Sequence, residues 1–203
     1  MSAPVPIVMI RHGETHWNAE GRIQGISDVP LSDSGRADVN GWRVPEEFFG
    51  YRWMASPLMR ARDTAVLLGA PTHELVCDAR LCEMNWGAWE GLTLADLEPE
   101  LPAIHAARAR DGLDFRAPGG ESNRDVQARL VEWIADVVAD GRPTIAVAHK
   151  GVVRALVSLA TGWDMRGPLP RDMDWSSAHL FHADMSGDIR IGRLDIPLRR
   201  DEP

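Results

Sequence analysis

Short apolar runs that end in polar loops recur along the chain. The clearest run predicts a buried strand over residues 144–148, and similar runs predict strands over 5–10 and 53–55. Apolar residues at helical spacing predict helices over 58–68, 126–138 and 152–160. We also expect a short helix after Ser32, a short strand over 75–77, and a closing hairpin formed by 179–182 and 189–191.

Three further segments lack a regular pattern. Residues 17–33 and 81–91 are rich in breakers and predict loops. The segment 92–116 contains Pro99 and Pro102 and predicts two short helices, interrupted by these prolines, that form an insertion or lid. Residues 198–203 predict a mobile tail.

Strands that alternate with helices indicate an α/β fold, a three-layer α/β/α sandwich around a mostly parallel mixed sheet. We expect a single domain over 1–203, with 92–116 as its lid. In such folds ligands bind beyond the carboxyl ends of the strands. Arg11, His12, Arg60 and His149 all follow strand-like runs closely, so these four side chains are expected to converge.

The amino-acid composition limits the classes of partner that the protein is expected to bind. The 203 residues carry 22 Lys and Arg against 30 Asp and Glu, a net charge of -8, which argues against nucleic acid or an anionic membrane as partner. A phosphorylated ligand would therefore be held by a few local arginines. Cys77 and Cys82 form neither a disulfide framework nor a thiolate zinc motif, and no leader or membrane-length apolar run is seen. These features favour a cytoplasmic protein.

The converging residues suit phosphate chemistry. Guanidinium groups pair bidentately with phosphate oxygens, and backbone N–H groups at helix N-termini add donors. Two arginines and two histidines at the ends of strands could therefore hold a tetrahedral dianion without a metal. By contrast, His179, His182 and Asp184 are disfavoured as metal ligands, since positions three apart on a strand face opposite sides.

Six blocks of sequence, which together cover about three quarters of the chain, occur in the order typical of one family. The blocks are Arg11-His12-Gly13-Glu14-Thr15 with Trp17-Asn18, Gly21 to Gly25 with Asp28 to Gly35, Ser56 to Ala65, Leu81 to Gly91, Pro118 to Ser122, and Ala148 to Gly151. In these blocks the chain resembles the histidine phosphatase superfamily, with its phosphoglycerate mutase-like fold. The sequence Trp89-Glu90-Gly91 is most similar to the phosphatase branch.

The resemblance implies a role for each matching residue. His12 would be the nucleophile, Arg11 and Arg60 would clamp the phosphate, and His149 would complete the clamp. Glu83 would be the general acid and base, and no metal or cofactor is expected. We further expect one His12 ring nitrogen to be fixed by a backbone carbonyl and the neighbouring arginines to lower the pKa of His12, so that the imidazole is neutral near neutral pH.

Other residues admit two interpretations. Asn18, Gln24 and Gly25 could bind substrate, although loop polarity explains them almost as well. Glu121 and Ser122 either cap the helix that follows or face the ligand. Arg108, Arg110 and Arg116 in the lid are better explained as a solvated helix face than as ligands. Lys150 stands where the family commonly has glycine, and it would favour more acidic esters.

The predicted function is a metal-independent phosphomonoester phosphatase that acts on a small metabolite through a phosphohistidine. Two alternatives remain open: phosphoglycerate mutase-type phosphoryl transfer, and a non-catalytic protein that binds a phosphorylated ligand. The sequence does not identify the ester, and it leaves the oligomeric state open, a homodimer included.

Overall fold

The computed structural model describes residues 3–198, which contain one six-stranded mixed sheet in the order β3-β2-β4-β1-β5-β6. The strands are β1 (Val5–Arg11), β2 (Arg52–Ala55), β3 (Val76–Cys77), β4 (Thr144–Ala148), β5 (Ala178–Ala183) and β6 (Ile189–Ile196). The first four are mutually parallel where they pair, while β5 and β6 are antiparallel. The predicted α/β fold and the closing hairpin are therefore confirmed.

Helices connect the parallel strands. They are α1 (His16–Ala19), α2 (Asp33–Asn40), α3 (Met59–Leu67), α4 (Leu101–Asp111), α5 (Asn123–Asp140) and α6 (Lys150–Thr161). Short 3-10 turns occur at Glu46–Phe48, Ala79–Leu81, Gly87–Trp89, Glu98–Glu100 and Gly112–Asp114. The four-residue helix α1 overlaps the start of residues 17–33, which were predicted to be entirely loop.

The central strand β1 shows why the molecule has three layers. Its alternate residues belong to different buried clusters, since Ile7 and Met9 pack with α5 and α6, whereas Val8 and Ile10 pack with α2 and α3. Both faces of the sheet are therefore covered by helices, as parallel strands require.

The ends of α5 follow from local sequence. The Ser122 hydroxyl accepts the Asp125 N–H, and the Asp125 carboxylate accepts the Ser122 N–H, which forms a capping box. At the other end, Gly141 adopts a left-handed conformation with φ of 73°. The capping interpretation of Ser122 is therefore the one that the structure supports.

Two expectations about irregular segments are wrong. The lid contains one helix rather than two broken ones, because Pro102 lies in the first turn of α4 and Pro99 in the 3-10 turn before it, where a missing N–H costs little. Leu198 is buried, and its carbonyl accepts the Arg43 N–H, so the predicted tail does not begin there. Residues 199–203 lie outside the described part of the chain.

The parallel strands end side by side. The His12 N–H donates to the Ala148 carbonyl at 3.1 Å, and the Ser56 N–H donates to the Val147 carbonyl at 3.0 Å. The loops after β1, β2 and β4 therefore leave the sheet together, and this edge carries the predicted site.

Candidate active site

His12 lies at the carboxyl end of β1 and is 6% exposed. Its Nδ1 is 2.7 Å from the carbonyl oxygen of Gly13, which can only accept, so Nδ1 carries the proton and donates. Nε2 is then left with its lone pair. The predicted fixing of one ring nitrogen by a backbone carbonyl is thus present.

The pKa of His12 is lowered well below its usual value of 6.5. Burial is the largest cause, followed by the charges of Arg11 and Arg60, while the hydrogen bond to Gly13 opposes them. The direction agrees with the expectation, but removal from water contributes more than the arginines. The imidazole is neutral near neutral pH.

Arg60 lies in the first turn of α3 and is fully buried. Its two terminal nitrogens donate to the carbonyls of Ser27 at 2.8 Å and Gly25 at 2.7 Å, so the loop after β1 fixes the plane of the guanidinium. Its Nε is buried and has no hydrogen-bond partner within residues 3–198, as is also true of Arg11 Nε. Burial lowers the pKa of both arginines, with nearby carboxylates opposing it.

His149 connects β4 to α6 and is fully buried. Neither of its ring nitrogens has a hydrogen-bond partner in the described structure, and its ring centroid is 5.1 Å from that of His12. Burial and the charge of Arg60 lower its pKa well below 6.5. Buried polar atoms are rarely left without partners, so the ring nitrogens of His149 have unused hydrogen-bonding capacity next to His12.

Glu83 lines the same cavity as His12 and Arg11. Its Oε1 accepts the Met84 N–H at 2.8 Å, and its Oε2 accepts the Gly151 N–H at 3.1 Å in the first turn of α6. The carboxylate is therefore fixed between its own loop and the helix that follows His149.

An ion pair braces the loop that carries Glu83. Arg129 of α5 donates to the carbonyls of Arg80 at 2.6 Å and Glu83 at 3.2 Å and pairs with the Glu121 carboxylate at 3.2 Å. Glu121 in turn accepts the Asn85 N–H at 2.9 Å. Sequence reasoning missed Arg129, because a lone arginine on a helix carries no motif.

A cavity of about 380 Å³ joins these groups. It is lined by Arg11, His12, Asn18, Gly21, Arg22, Ile23, Gln24, Gly25, Arg60, Glu83, Trp86 and Lys150. His149 lies behind it, against His12. All five residues predicted to be catalytic thus lie in or next to one cavity.

Asn18, Gln24 and Gly25 also line this cavity, but each has a structural contact. Asn18 and Gln24 both accept from the Thr15 hydroxyl, at 3.1 and 2.9 Å. Gly25 has φ of 59° and presents its carbonyl to Arg60. A role in binding substrate stays a prediction for all three.

The three lid arginines that the sequence singled out differ in their surroundings. Arg110 and Arg116 are exposed and pair with Asp111 and Asp125, which fits a solvated face. Arg108 contradicts that interpretation, because its guanidinium lies over the Phe115 ring and faces a second cavity next to Glu83.

The histidines near the C-terminal end form no metal site. His179 is buried, and its Nδ1 accepts the Asp195 N–H. Within residues 3–198 no cluster of three His, Cys, Asp or Glu side chains could hold a metal, and no helix there is long and apolar enough to span a membrane.

Comparison with known proteins gives one consistent match. The family model of the histidine phosphatase superfamily (branch 1) matches residues 7–188. A Mycobacterium tuberculosis protein named glucosyl-3-phosphoglycerate phosphatase is 38% identical over 167 residues, which cover 74% of this chain and 72% of the relative. A Gloeobacter violaceus protein named 2,3-bisphosphoglycerate-dependent phosphoglycerate mutase 2 is 30% identical over 164 residues, or 74% and 73% of the two chains.

Solved structures agree with the sequence relatives. The native structure of a mycobacterial glucosyl-3-phosphoglycerate phosphatase is similar with a TM-score of 0.77 and 30% identity, over 95% of this chain and 99% of that one.

Proposed function

This chain belongs to the histidine phosphatase superfamily and is a phosphoric monoester hydrolase, and we propose that it dephosphorylates a small metabolite through a phosphohistidine at His12. The family, the fold and the phosphatase reaction predicted from the sequence are confirmed by the relatives. The residue roles below are proposals.

The hydrogen bond from His12 Nδ1 to the Gly13 carbonyl is the observation that carries the proposal. It leaves the Nε2 lone pair free and aims the ring at the cavity. In the first step Nε2 attacks phosphorus, the bond from phosphorus to the ester oxygen breaks, and Glu83 gives its proton to the departing alkoxide.

In the second step a proton returns to Glu83. A water molecule attacks the phosphohistidine, Glu83 accepts a proton from that water, and the bond between phosphorus and Nε2 breaks to release inorganic phosphate. The role in both steps is supported by the position of Glu83, which lines the same cavity as His12.

Arg11, Arg60 and His149 are proposed to hold the phosphoryl group. The transition state spreads charge over three equatorial oxygens, and donors that are fixed beforehand stabilise that charge without reorganising. The buried Nε–H groups of the two arginines and the one N–H of the neutral His149 ring are such donors, and none of these atoms has a protein partner within residues 3–198.

Relatives suggest the first substrate to test. Two mycobacterial relatives are named glucosyl-3-phosphoglycerate phosphatase, at 38% and 36% identity, so we propose a small phosphorylated metabolite and take that ester as the leading candidate. A mutase activity is the second candidate, since one relative at 30% identity is named as a mutase.

Further parts of the proposal concern organisation. We propose one domain over 1–203 with a lid at 92–116, substrate contacts from Asn18, Gln24 and Gly25, and a cytoplasmic location.

The test is phosphate release in the presence of a chelator from glucosyl-3-phosphoglycerate, sugar phosphates, phosphoglycerates and an aryl phosphate. We expect release that survives chelation and is lost in His12→Ala, and acid-labile labelling of the wild-type protein by radioactive substrate. Transfer of the label to a second hydroxyl would favour the mutase. Release that is unaffected in His12→Ala would overturn the proposal.

A second variant tests the role of Glu83 as the general acid. Glu83→Gln should slow alkyl phosphates about 100-fold or more, yet slow an activated aryl phosphate much less, because a good leaving group departs without a proton. Equal slowing of both esters would contradict the role of Glu83.

A further inference from the structure

A second cavity of about 170 Å³ opens beside the one that holds His12. The two cavities share Glu83, Trp86 and Lys150. The rest of the second cavity is lined by Met84, Arg108, Asn123, Gly151 and Arg154. Its lining comes from the lid helix α4 and the helix α6, and it includes none of Arg11, His12, Arg60 and His149.

Three cations of this cavity, Arg108, Lys150 and Arg154, have no anionic partner. Within residues 3–198 none of them forms an ion pair or a hydrogen bond, in contrast to Arg110, which pairs with Asp111 on the same helix as Arg108. The positive charges are therefore free to meet a ligand.

Each cation is instead held over an aromatic ring. The guanidinium carbon of Arg108 is 5.5 Å from the Phe115 centroid, that of Arg154 is 5.3 Å from the Trp163 centroid, and Lys150 Nζ is 4.8 Å from the Trp175 centroid. Stacking on a ring fixes a flexible side chain while leaving its N–H donors unused. The cations are therefore positioned before any ligand arrives.

Their surroundings disfavour positive charge. Burial lowers the pKa of Arg154, and the neighbouring charge of Arg108 lowers it further. The pKa of Lys150 is lowered by burial and by the charges of Arg11 and Arg154. Arg108 is exposed overall, yet the partial withdrawal of its guanidinium from water lowers its pKa too.

Glu83 is the one acidic residue in the lining of the cavity, and its two oxygens accept backbone N–H groups from Met84 and Gly151. Its charge raises the pKa of Lys150 and Arg154, but burial and the neighbouring cations outweigh it. The charges of Arg108 and Arg154, and of Arg154 and Lys150, repel each other, and a bound anion would relieve that repulsion. On a chain with a net charge of -8, such a local positive region also draws anions to one place.

We propose that this cavity is a subsite for a second anionic group, carried by the alcohol part of the phosphate ester, and that Arg108, Lys150 and Arg154 bind it. The inference rests on the proposed function. Since Glu83 borders both cavities and protonates the departing oxygen, the second anion lies on the leaving-group side. A carboxylate or a second phosphate fits, because forked guanidinium groups bind both in the same way.

The experiment compares esters that differ in a single group. 3-Phosphoglycerate carries a carboxylate where glycerol 3-phosphate carries a neutral hydroxymethyl group. We expect wild-type kcat/KM to favour the carboxylate ester by about tenfold or more, and we expect Arg108→Gln and Arg154→Gln each to reduce that preference by about tenfold, which corresponds to about 1.4 kcal/mol. Propane-1,3-diol bisphosphate against its monophosphate makes the same comparison for a second phosphate.

Arg110→Gln is the matched control, because Arg110 lies on the same helix, is exposed and pairs with Asp111. Arg110→Gln should leave kcat/KM for both esters, and the ratio of the two values, unchanged. Arg108→Gln alters an exposed residue of α4, so it tests the subsite even if Arg154→Gln reduces the folded fraction.

The outcomes separate the two proposals. One outcome is a wild-type enzyme that hydrolyses an aryl phosphate in a His12-dependent way and yet shows no preference, in either pair, for the ester with the second anionic group. That result would overturn the subsite and leave the proposed function intact. An equal decrease of kcat/KM for the esters with and without the second anionic group, in both variants, would also overturn the subsite. Absence of phosphate release from every ester, the aryl phosphate included, would instead count against the proposed function.

Discussion

Gly151 lies directly against Glu83. A Cβ atom added at residue 151 would be 2.2 Å from Glu83 Oε1 and 3.1 Å from its Cδ. The first turn of the helix after His149 thus sets the position of the carboxylate that lines the cavity, and it does so through a missing side chain.

Gly151→Ala should therefore damage catalysis without damaging the fold. Alanine is favoured over glycine in a helix by roughly 0.5–1 kcal/mol, so stability should be kept or raised. Displacement of Glu83 should lower kcat for alkyl phosphates by about tenfold or more, because small misplacements of a catalytic group are costly, and should affect aryl phosphates less. Kinetics on the two esters and a thermal melt test this expectation.

Gly167→Ala is the matched control, since a Cβ at Gly167 would meet nothing within 4 Å. A Gly151→Ala enzyme that hydrolyses alkyl esters at the wild-type rate would show that Glu83 is not held by this contact.

The Arg129 brace leads to a related prediction. Arg129→Lys keeps the charge but loses the fork that reaches the Arg80 and Glu83 carbonyls and the Glu121 carboxylate together. We expect the alkyl-to-aryl ratio of kcat to fall several-fold, about 1 kcal/mol of lost positioning. The exposed Arg124, which pairs with Asp114, gives the control Arg124→Lys. Slowing of both ester classes to the same extent would indicate a purely structural role.

Glu90 is expected to act on the phosphate clamp instead. Its carboxylate accepts the N–H groups of Ile26, Ser27 and Trp86, and so holds the loop whose carbonyls orient Arg60. Glu90→Gln should raise KM for every ester, and Ki for phosphate, by about tenfold, because an amide nitrogen cannot accept. The alkyl-to-aryl ratio should stay constant. Glu98→Gln on the exposed lid surface is the control, and a changed ratio would contradict this assignment.

Stability should depend on pH through the buried histidines. Burial is the largest cause that lowers the pKa of His12, His149 and His179 below 6.5. Between those lowered values and about 6.5 the unfolded chain therefore binds more protons than the folded protein. The contribution of these histidines to the free energy of unfolding should be fully present above about pH 6.5. It should decrease as the pH falls below that value, by up to roughly 1.4 kcal/mol per pH unit for each histidine.

Urea unfolding of wild type and His12→Gln between about pH 7.5 and about pH 5.5 tests this expectation. The variant should show the shallower decline. Parallel curves for the two proteins would mean that His12 is as easily protonated in the folded state as in the unfolded one.

The sequence predicted best those features that depend on neighbours along the chain. The strands before His12 and His149 were visible because their apolar residues are contiguous, and α5 was visible because Val126, Leu130 and Val137 repeat at helical spacing. Arg11, His12, Arg60 and His149 became candidates through their position after such strands, whereas Glu83 was suggested only by the family resemblance. Ser122 was recognised as a possible cap for the same local reason.

Features that depend on distant contacts were missed. Pro99 and Pro102 suggest interruption in isolation, but the structure uses them to begin α4. Leu198 is buried because it packs with residues far earlier in the chain. Arg108 and Arg154 are 46 positions apart, and only the folded chain brings them to one cavity with Lys150.

The lid shares a small apolar cluster with the residues that flank it. The buried members of this cluster, Trp89, Leu97, Phe115 and Ala117, belong to neither of the clusters that flank the sheet, and Trp86 packs against both this lid cluster and the main core. A unit with so few buried contacts opens at a lower free energy than the sheet and its helices. We therefore expect amino-acid changes in residues 92–116 to alter which ester is accepted while the global stability stays nearly constant.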